Sequence, residues 1–238
     1  MLKIIAWNCN MAFRKKADVI LACQPDILVV PECEHPDKLK FGKETPVPSD
    51  IFWYGTNPHK GIGVFSYGPY KFRLSETHNP DFRYILPLSV TGGSFDFTLF
   101  AVWANNPQDK DGAYVTQVWK AIQYYDTMLS ESKTILAGDF NSNTIWDRPR
   151  RTGNHSNVVE KLEARKIFST YHLFHDQIQG KEAHMTQFMY RHEDKPYHLD
   201  YCFASIDFIE KLRNVEIGTY ADWTKYSDHK PLIVTFDI

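Results

Sequence analysis

A chain of 238 residues, 43% hydrophobic and 24% charged, is long enough to bury a core without disulfide or metal staples. Its formal net charge of −2 excludes the strong basic excess that drives tight, sequence-independent binding to duplex nucleic acid. No apolar run has the length of a membrane helix, and the apolar run in the opening MLKIIAWNCN is too short for a signal peptide, so a cytoplasmic protein is expected.

LKIIAWN (residues 2–8) reads as a buried strand. Residues 14–23 place Ala17, Ile20 and Leu21 on one helical face, and Pro25 stops that helix. DILVVPE (26–32) is a second buried strand, so the chain opens β-α-β, the pattern of parallel pairing through a right-handed crossover. Shorter strands follow at IFWYG, GIGVFSY, YKFRLSE, FRYILPLSV and SFDFTLFAVW, with Gly92-Gly93 as a turn between the last two. A helix is predicted over 114–129, a strand at TILAGD, and a helix over 157–165 capped by Asn154 or Ser156. Strand-like pieces return at MTQFMY, HLDYCFAS, VEIGTY and PLIVTFD. No repeat, low-complexity run or Gly/Ser linker divides the chain, so one domain over 1–238 is expected. Cys9, Cys23, Cys33 and Cys202 lack zinc-like spacing and read as buried free thiols of a reducing compartment.

Several of these strands share one habit. They are apolar until near the C-terminal end and then present a potential ligand or base: Asn8, Glu32, and Asp139 with Asn141. Open α/β sheets place their ligand sites at strand ends. Asp200 lies in an apolar run, where a lone carboxylate is expensive, so it needs a partner, and His229 is a candidate. Asp228 and His229 precede the last strand. Taken singly, Asn8 could cap a turn, Glu32 could be a surface charge, and Asp139 with Asn141 could form an Asx-turn. Taken together they supply one chemistry. Hard oxygen donors suit Mg²⁺, with Mn²⁺ as a substitute. A carboxylate beside water can take its proton, an amide can hold a phosphate oxygen, and a histidine oriented by a buried Asp can stay charged.

With these residues in hand, the sequence resembles the endonuclease/exonuclease/phosphatase superfamily nearly end to end. Its members include exonuclease III-like repair nucleases, pancreatic-type DNases, neutral sphingomyelinases, inositol polyphosphate phosphatases and deadenylases. AWNCN resembles the family's first strand and PDILVVPE its second, GIGVFS its Gly-rich middle strand, and LAGDFNSN its GDFN element. HLDYCFAS is similar to the LDY element, and SDHKPL closes the pattern. The resemblance implies a four-layer α/β/β/α sandwich of two packed mixed sheets flanked by helices. It implies that Asn8, Glu32 and Asp228 serve the metal, that Asp139 positions water and that Asn141 contacts phosphate. It further implies that Asp200 orients His229 on the scissile phosphate.

One stretch departs from the family. Many relatives carry a His or Tyr before the long helix to contact phosphate, whereas FAVWANNP offers Trp103, with Asn106 nearby. Trp103 is expected to face the cleft and stack on substrate. The basic stretch WDRPRRTGNH follows the GDFN element, so Arg148, Arg150, Arg151 and His155 are candidates to meet phosphates. His192 and His198, in a polar loop, read as surface or supporting residues. The expected function is metal-dependent hydrolysis of a phosphodiester, with nucleic acid as the first substrate class. A small nucleotide, sugar or lipid phosphoester is the second, and a binding module without catalysis the third. A monomer without membrane or protein partners is expected.

Overall fold

The computed structural model describes residues 1–42, 45–106, 113–131 and 133–238. The first half contributes β1 (Leu2–Ala6), α1 (Ala17–Leu21), β2 (Ile27–Cys33), β3 (Asp50–Asn57), β4 (Lys60–Ser66), β5 (Lys71–Leu74), β6 (Ile85–Thr91) and β7 (Phe97–Trp103). Then come α2 (Val115–Tyr124), α3 (Asp126–Glu131), β8 (Thr134–Asp139), α4 (His155–Glu163), β9 (Ile167–Ser169) and α5 (Thr170–His175). The last part holds β10 (Gln187–Phe188), β11 (Pro196–Tyr197), β12 (Asp200–Ser205), α6 (Ile206–Ile209), β13 (Leu212–Ile217), α7 (Tyr220–Trp223) and β14 (Leu232–Phe236).

Two six-stranded sheets form, in the orders β13-β14-β1-β2-β4-β3 and β5-β6-β7-β8-β12-β9. Both are mixed: β1 runs parallel to β2 and β7 parallel to β8, while β1–β14 and β8–β12 are antiparallel. Alternation along each strand explains why the sheets are apolar on both faces. Leu2, Ile4 and Ala6 join Leu99, Ala101, Ile135, Ala137, Cys202 and Ala204 in the core between the sheets. Ile5, Trp7, Leu28 and Val30 point the other way, onto Ala17 and Ile20 of α1 and Trp223 of α7. Phe100, Val102, Leu136, Tyr201 and Phe203 pack against Val118 and Ile122 of α2 and Val158 and Leu162 of α4. The order of layers is therefore helix, sheet, sheet, helix, the expected α/β/β/α sandwich.

Local differences from the sequence reading have identifiable causes. The helix expected over 114–129 breaks at Tyr125, whose buried hydroxyl accepts from the Asn79 backbone N–H at 2.9 Å. The first helix is shorter than expected, because Phe13–Lys15 form a 3₁₀ turn after three left-handed residues, Asn10, Met11 and Ala12. The later helix starts at His155 on a capping box between Asn154 and Asn157. Gly138 has a φ of +140°, and a Cβ there would lie 1.9 Å from the Val102 carbonyl oxygen. Only glycine lets β8 approach β7 this closely just before Asp139.

Trp103 ends β7 on the face between the sheets. It is 5% exposed and packs on Tyr84 with ring centroids 4.6 Å apart. Truncating a buried ring of this size costs about 3–5 kcal/mol. Trp103→Ala should therefore lower the unfolding free energy from an equilibrium denaturant titration by that amount, and the midpoint with it. Trp103→Phe should recover much of the loss, because a ring again fills the space against Tyr84. An unchanged midpoint in Trp103→Ala would remove this side chain from the core.

Candidate active site

The backbone ends of β1, β2 and β8 meet the start of β12 and the loop before β14 at one edge of the sandwich. Asn8 follows β1, and its amide donates to Asp139 Oδ2 at 2.9 Å and more weakly to Glu32 Oε1 at 3.4 Å. One side chain thus links two carboxylates carried by different sheets. Its own oxygen accepts the Asn10 backbone N–H at 3.0 Å, which fixes the orientation of the amide. Glu32 sits where the β2–β4 register shifts, with a left-handed φ of 61°. Such a bulge re-aims a side chain, and here the Glu32 carboxylate lines the cleft.

Asp139 ends β8 completely buried. Its carboxylate accepts from the Asn141 backbone N–H and from the Asn141 side chain, each at 2.9 Å. Asn141 itself adopts a left-handed φ of 46° and also donates to the Ala104 carbonyl at 2.7 Å. Both its N–H donors are thereby engaged inside the protein. In this arrangement Asn141 braces Asp139 rather than reaching outward to a phosphate. The spacing of two residues in GDFN serves this turn, and the intervening Phe140 packs inward among Tyr201 and Phe203.

The buried Asp200 finds the partner its cost demands: the His229 Nδ1 lies 2.8 Å from Asp200 Oδ2. Because Nδ1 is committed to a carboxylate, it carries a proton, and Nε2 faces Asp139 Oδ2 at 4.0 Å. Burial alone would lower the affinity of this imidazole for its proton. The carboxylates of Asp200 and Asp139 outweigh it and hold the ring charged, with a pKa pushed up to about 10. Burial also raises the Asp139 carboxyl; Asp200 adds to that rise while His229 and Asn8 oppose it, and the balance lies at about 7. Thr186 Oγ1 accepts the backbone N–H groups of Leu199 and Asp200, and Ser227 Oγ donates to the Asn8 carbonyl at 2.7 Å. Asp228 accepts from Asn10 at 2.9 Å and Gln187 at 3.5 Å.

Asn8, Glu32, Asp139, Asn141, Asp228 and His229 line one open cleft of about 510 Å³, with Lys60, Trp103 and Asn106 at its wall. The fit to a hard divalent cation can be judged from these groups. Glu32 and Asp228 bring carboxylate oxygens to the cleft, and Glu32 already gathers a cation, the Lys60 ammonium 3.1 Å away. Asp139, Asp200 and His229 also offer ligand atoms within 4.8 Å of one another. In that trio the imidazole is spent on Asp200, and a nitrogen donor suits Mg²⁺ poorly. The oxygen donors at Glu32 and Asp228 fit better.

Three expected contacts are placed differently. Trp103 does not offer a free ring face to a base: Tyr84 packs against it and the Lys60 ammonium lies over it, 5.2 Å from the ring centroid. His155 is buried, bonded to Ser142 Oγ at 2.8 Å, and pulled by burial down to about 4, so it brings no charge to a phosphate. Arg150 is exposed and is not among the residues that line the adjoining hollow. Arg148 and Arg151 do line that hollow, a space of about 380 Å³ sharing Tyr114, Asn141 and Gln187 with the cleft. His198 is buried against Tyr171 and Tyr201, whereas His192 is exposed. Cys9, Cys33 and Cys202 are buried and Cys23 is half-buried, all unpaired. Sequence reasoning missed Lys60, Asn10 and Gln187. Gln187 carried a signal, a polar residue in a strand-like run, while Lys60 carried none.

No helix among the described residues is long and apolar enough to cross a membrane. No protein-family model matches the sequence, and no curated protein does. Solved structures do. A 3' phosphatase, NExo, from Neisseria bound to product DNA hairpin is 18% identical with a TM-score of 0.70, each chain covered over 100% of its length. An AP endonuclease from Archaeoglobus fulgidus is also 18% identical, with a TM-score of 0.68 and 100% of both chains covered. The endonuclease domain of TRAS1, a telomere-specific non-LTR retrotransposon, reaches a TM-score of 0.65 at 12% identity, over 99% of this chain and 97% of that one. The chain therefore has the fold of the endonuclease/exonuclease/phosphatase superfamily, as the order of its strand-end motifs implied.

Proposed function

We propose that this protein is a Mg²⁺-dependent phosphodiesterase that hydrolyses nucleic acid. The observation that carries the reading is a buried carboxylate, Asp139, braced by Asn8 and Asn141 and facing a histidine that Asp200 keeps charged, all opening on one cleft. The similar structures bear on the substrate: one is a 3' phosphatase bound to a product DNA hairpin and another is an AP endonuclease. Arg148 and Arg151 beside the cleft would meet phosphates flanking the scissile one.

Each side chain then has a task. Asp139 takes the proton of the attacking water. Asn8 and Asn141 hold that carboxylate in place. His229 faces the negative charge that develops on the phosphoryl group, and Asp200 fixes its tautomer and keeps it protonated. Glu32 and Asp228 would hold Mg²⁺, which supplies polarisation of a phosphoryl oxygen and stabilisation of the leaving oxygen. A panel of plasmid, abasic duplex, single strands and chromogenic phosphodiesters, each with Mg²⁺ and with excess chelator, tests the reading. Turnover of nucleic acid only with metal is expected. Preference for the small phosphodiesters, uncompeted by duplex DNA, would move the substrate to a small phosphoester. No turnover of any substrate would leave a binding module.

If Glu32 holds the cation, Glu32→Gln should raise the Mg²⁺ concentration for half-maximal rate about tenfold or more, since a neutral amide replaces a charged ligand. Full activity of the unsubstituted protein in excess chelator would sink the metal requirement.

The pH profile follows from the two shifted groups. Catalysis needs Asp139 ionised, so kcat/KM should rise as pH climbs through about 7. It also needs His229 charged, so the rate should fall as pH climbs through about 10. Asp200→Asn removes the carboxylate nearest the imidazole, and its alkaline limb should move to lower pH. An alkaline limb that stays in place in this variant would detach His229 from the profile.

A further inference from the structure

Among the described residues lining the cleft, Lys60 is the one lysine or arginine. It opens β4, and its backbone is fixed by pairing with Asn57 across the β3–β4 turn. Its ammonium sits 3.1 Å from Glu32 Oε2 and 5.2 Å from the centroid of the Trp103 ring. The side chain is 38% exposed, so the ion pair is open to solvent on one side. Two facts make this placement unusual. Glu32 is the carboxylate best suited to a divalent cation, and it is already paired with a cation of this chain's own. Trp103, at the position where a phosphate contact was expected, has its ring covered and presents no hydroxyl or imidazole.

We propose that Lys60 is an exchangeable counter-cation. It neutralises Glu32 in the metal-free protein, yields that carboxylate to the divalent cation, and then contacts the substrate phosphate as a specificity-determining residue. The inference rests on the reading of Glu32 as a metal ligand. An ammonium and a divalent ion repel one another, so occupancy of Glu32 by one opposes the other. The displaced ammonium has a ready destination. Its four-carbon stem is flexible and its three donors rotate. The cleft it lines is otherwise rich in carboxylates, Asp139 and Asp228 among them, which repel a phosphate anion. A mobile positive charge on the Trp103 wall offsets that repulsion. The ring face under the ammonium gives it a weakly attractive surface to move across.

Lys60→Met keeps the length and apolar stem while removing the charge, and Lys60→Arg keeps the charge. Isothermal titration of Mn²⁺ without substrate reads the first half of the proposal. Lys60→Met should bind Mn²⁺ about two- to fivefold more tightly than the unsubstituted protein, the range of a partly exposed ion pair. Lys60→Arg should bind it about as the unsubstituted protein does. Steady-state kinetics on an oligonucleotide at saturating Mn²⁺ reads the second half. Lys60→Met should raise KM about tenfold with kcat within about twofold, as expected for a lost charged contact to phosphate. Mn²⁺ affinity that is unchanged or weaker in Lys60→Met overturns the exchange at Glu32. An unchanged KM overturns the contact with phosphate. No Mn²⁺ binding by the unsubstituted protein overturns the metal reading itself, and this inference with it.

Discussion

Two hydrogen bonds at the cleft join the two sheets, and the site exists because of them. Asn8, from the first sheet, donates to Asp139 on the second; Asp200, on the second, bonds His229 beside β14 of the first. Asp139 and Asp200 are fully buried. A carboxylate in such a place is tolerable only where hydrogen bonds and an opposite charge compensate its lost hydration. Neither sheet can supply that compensation alone. The packing of the sandwich and the assembly of the polar site are thus one problem, solved at the same edge.

The same burial sets the chemistry. Asp139 resists ionisation because it is dry, and His229 resists deprotonation because two carboxylates face it. These opposed shifts leave a carboxylate poised near neutrality beside a persistently charged imidazole, an arrangement suited to removing a proton from water next to a developing negative charge. Asp200 Oδ1 has no hydrogen-bond partner among the described residues.

The backbone around the site is bent to serve it. Glu32 and Asn141 hold left-handed conformations, and Gly138 provides a contact no side chain would permit. Such residues cost stability and persist where surrounding structure over-determines them. Here the over-determination is visible: Asn141 is held by Ala104 and Asp139, and the Glu32 bulge by its pairing with β4. The wall of the cleft is built differently. Trp103 belongs to the core between the sheets and offers the cleft a covered edge.

The sandwich was legible through the resemblance of the ordered motifs to the family, and the strand-end residues through the pattern of the strands that carry them. Apolar runs broken by single polar residues recur in a fixed order, and each such residue is local to the strand that carries it. That is why Asn8, Glu32, Asp139, Asp200 and His229 were legible before any geometry. The direction in which each side chain points was not. Asn141 could be read as a phosphate contact, but its donors turn inward because the left-handed turn after β8 brings Ala104 within reach. His155 follows a basic stretch, yet as the first residue of α4 it is drawn into the protein against Ser142 and Tyr201. Lys60 left no trace in its segment, because its meaning comes from Glu32 and Trp103, 28 and 43 residues away along the chain (60 − 32; 103 − 60). Pattern along a strand records which face is buried. Which polar groups meet at the cleft is decided only when β1, β8, β12 and β14 pack, since those contacts join residues the sequence keeps apart.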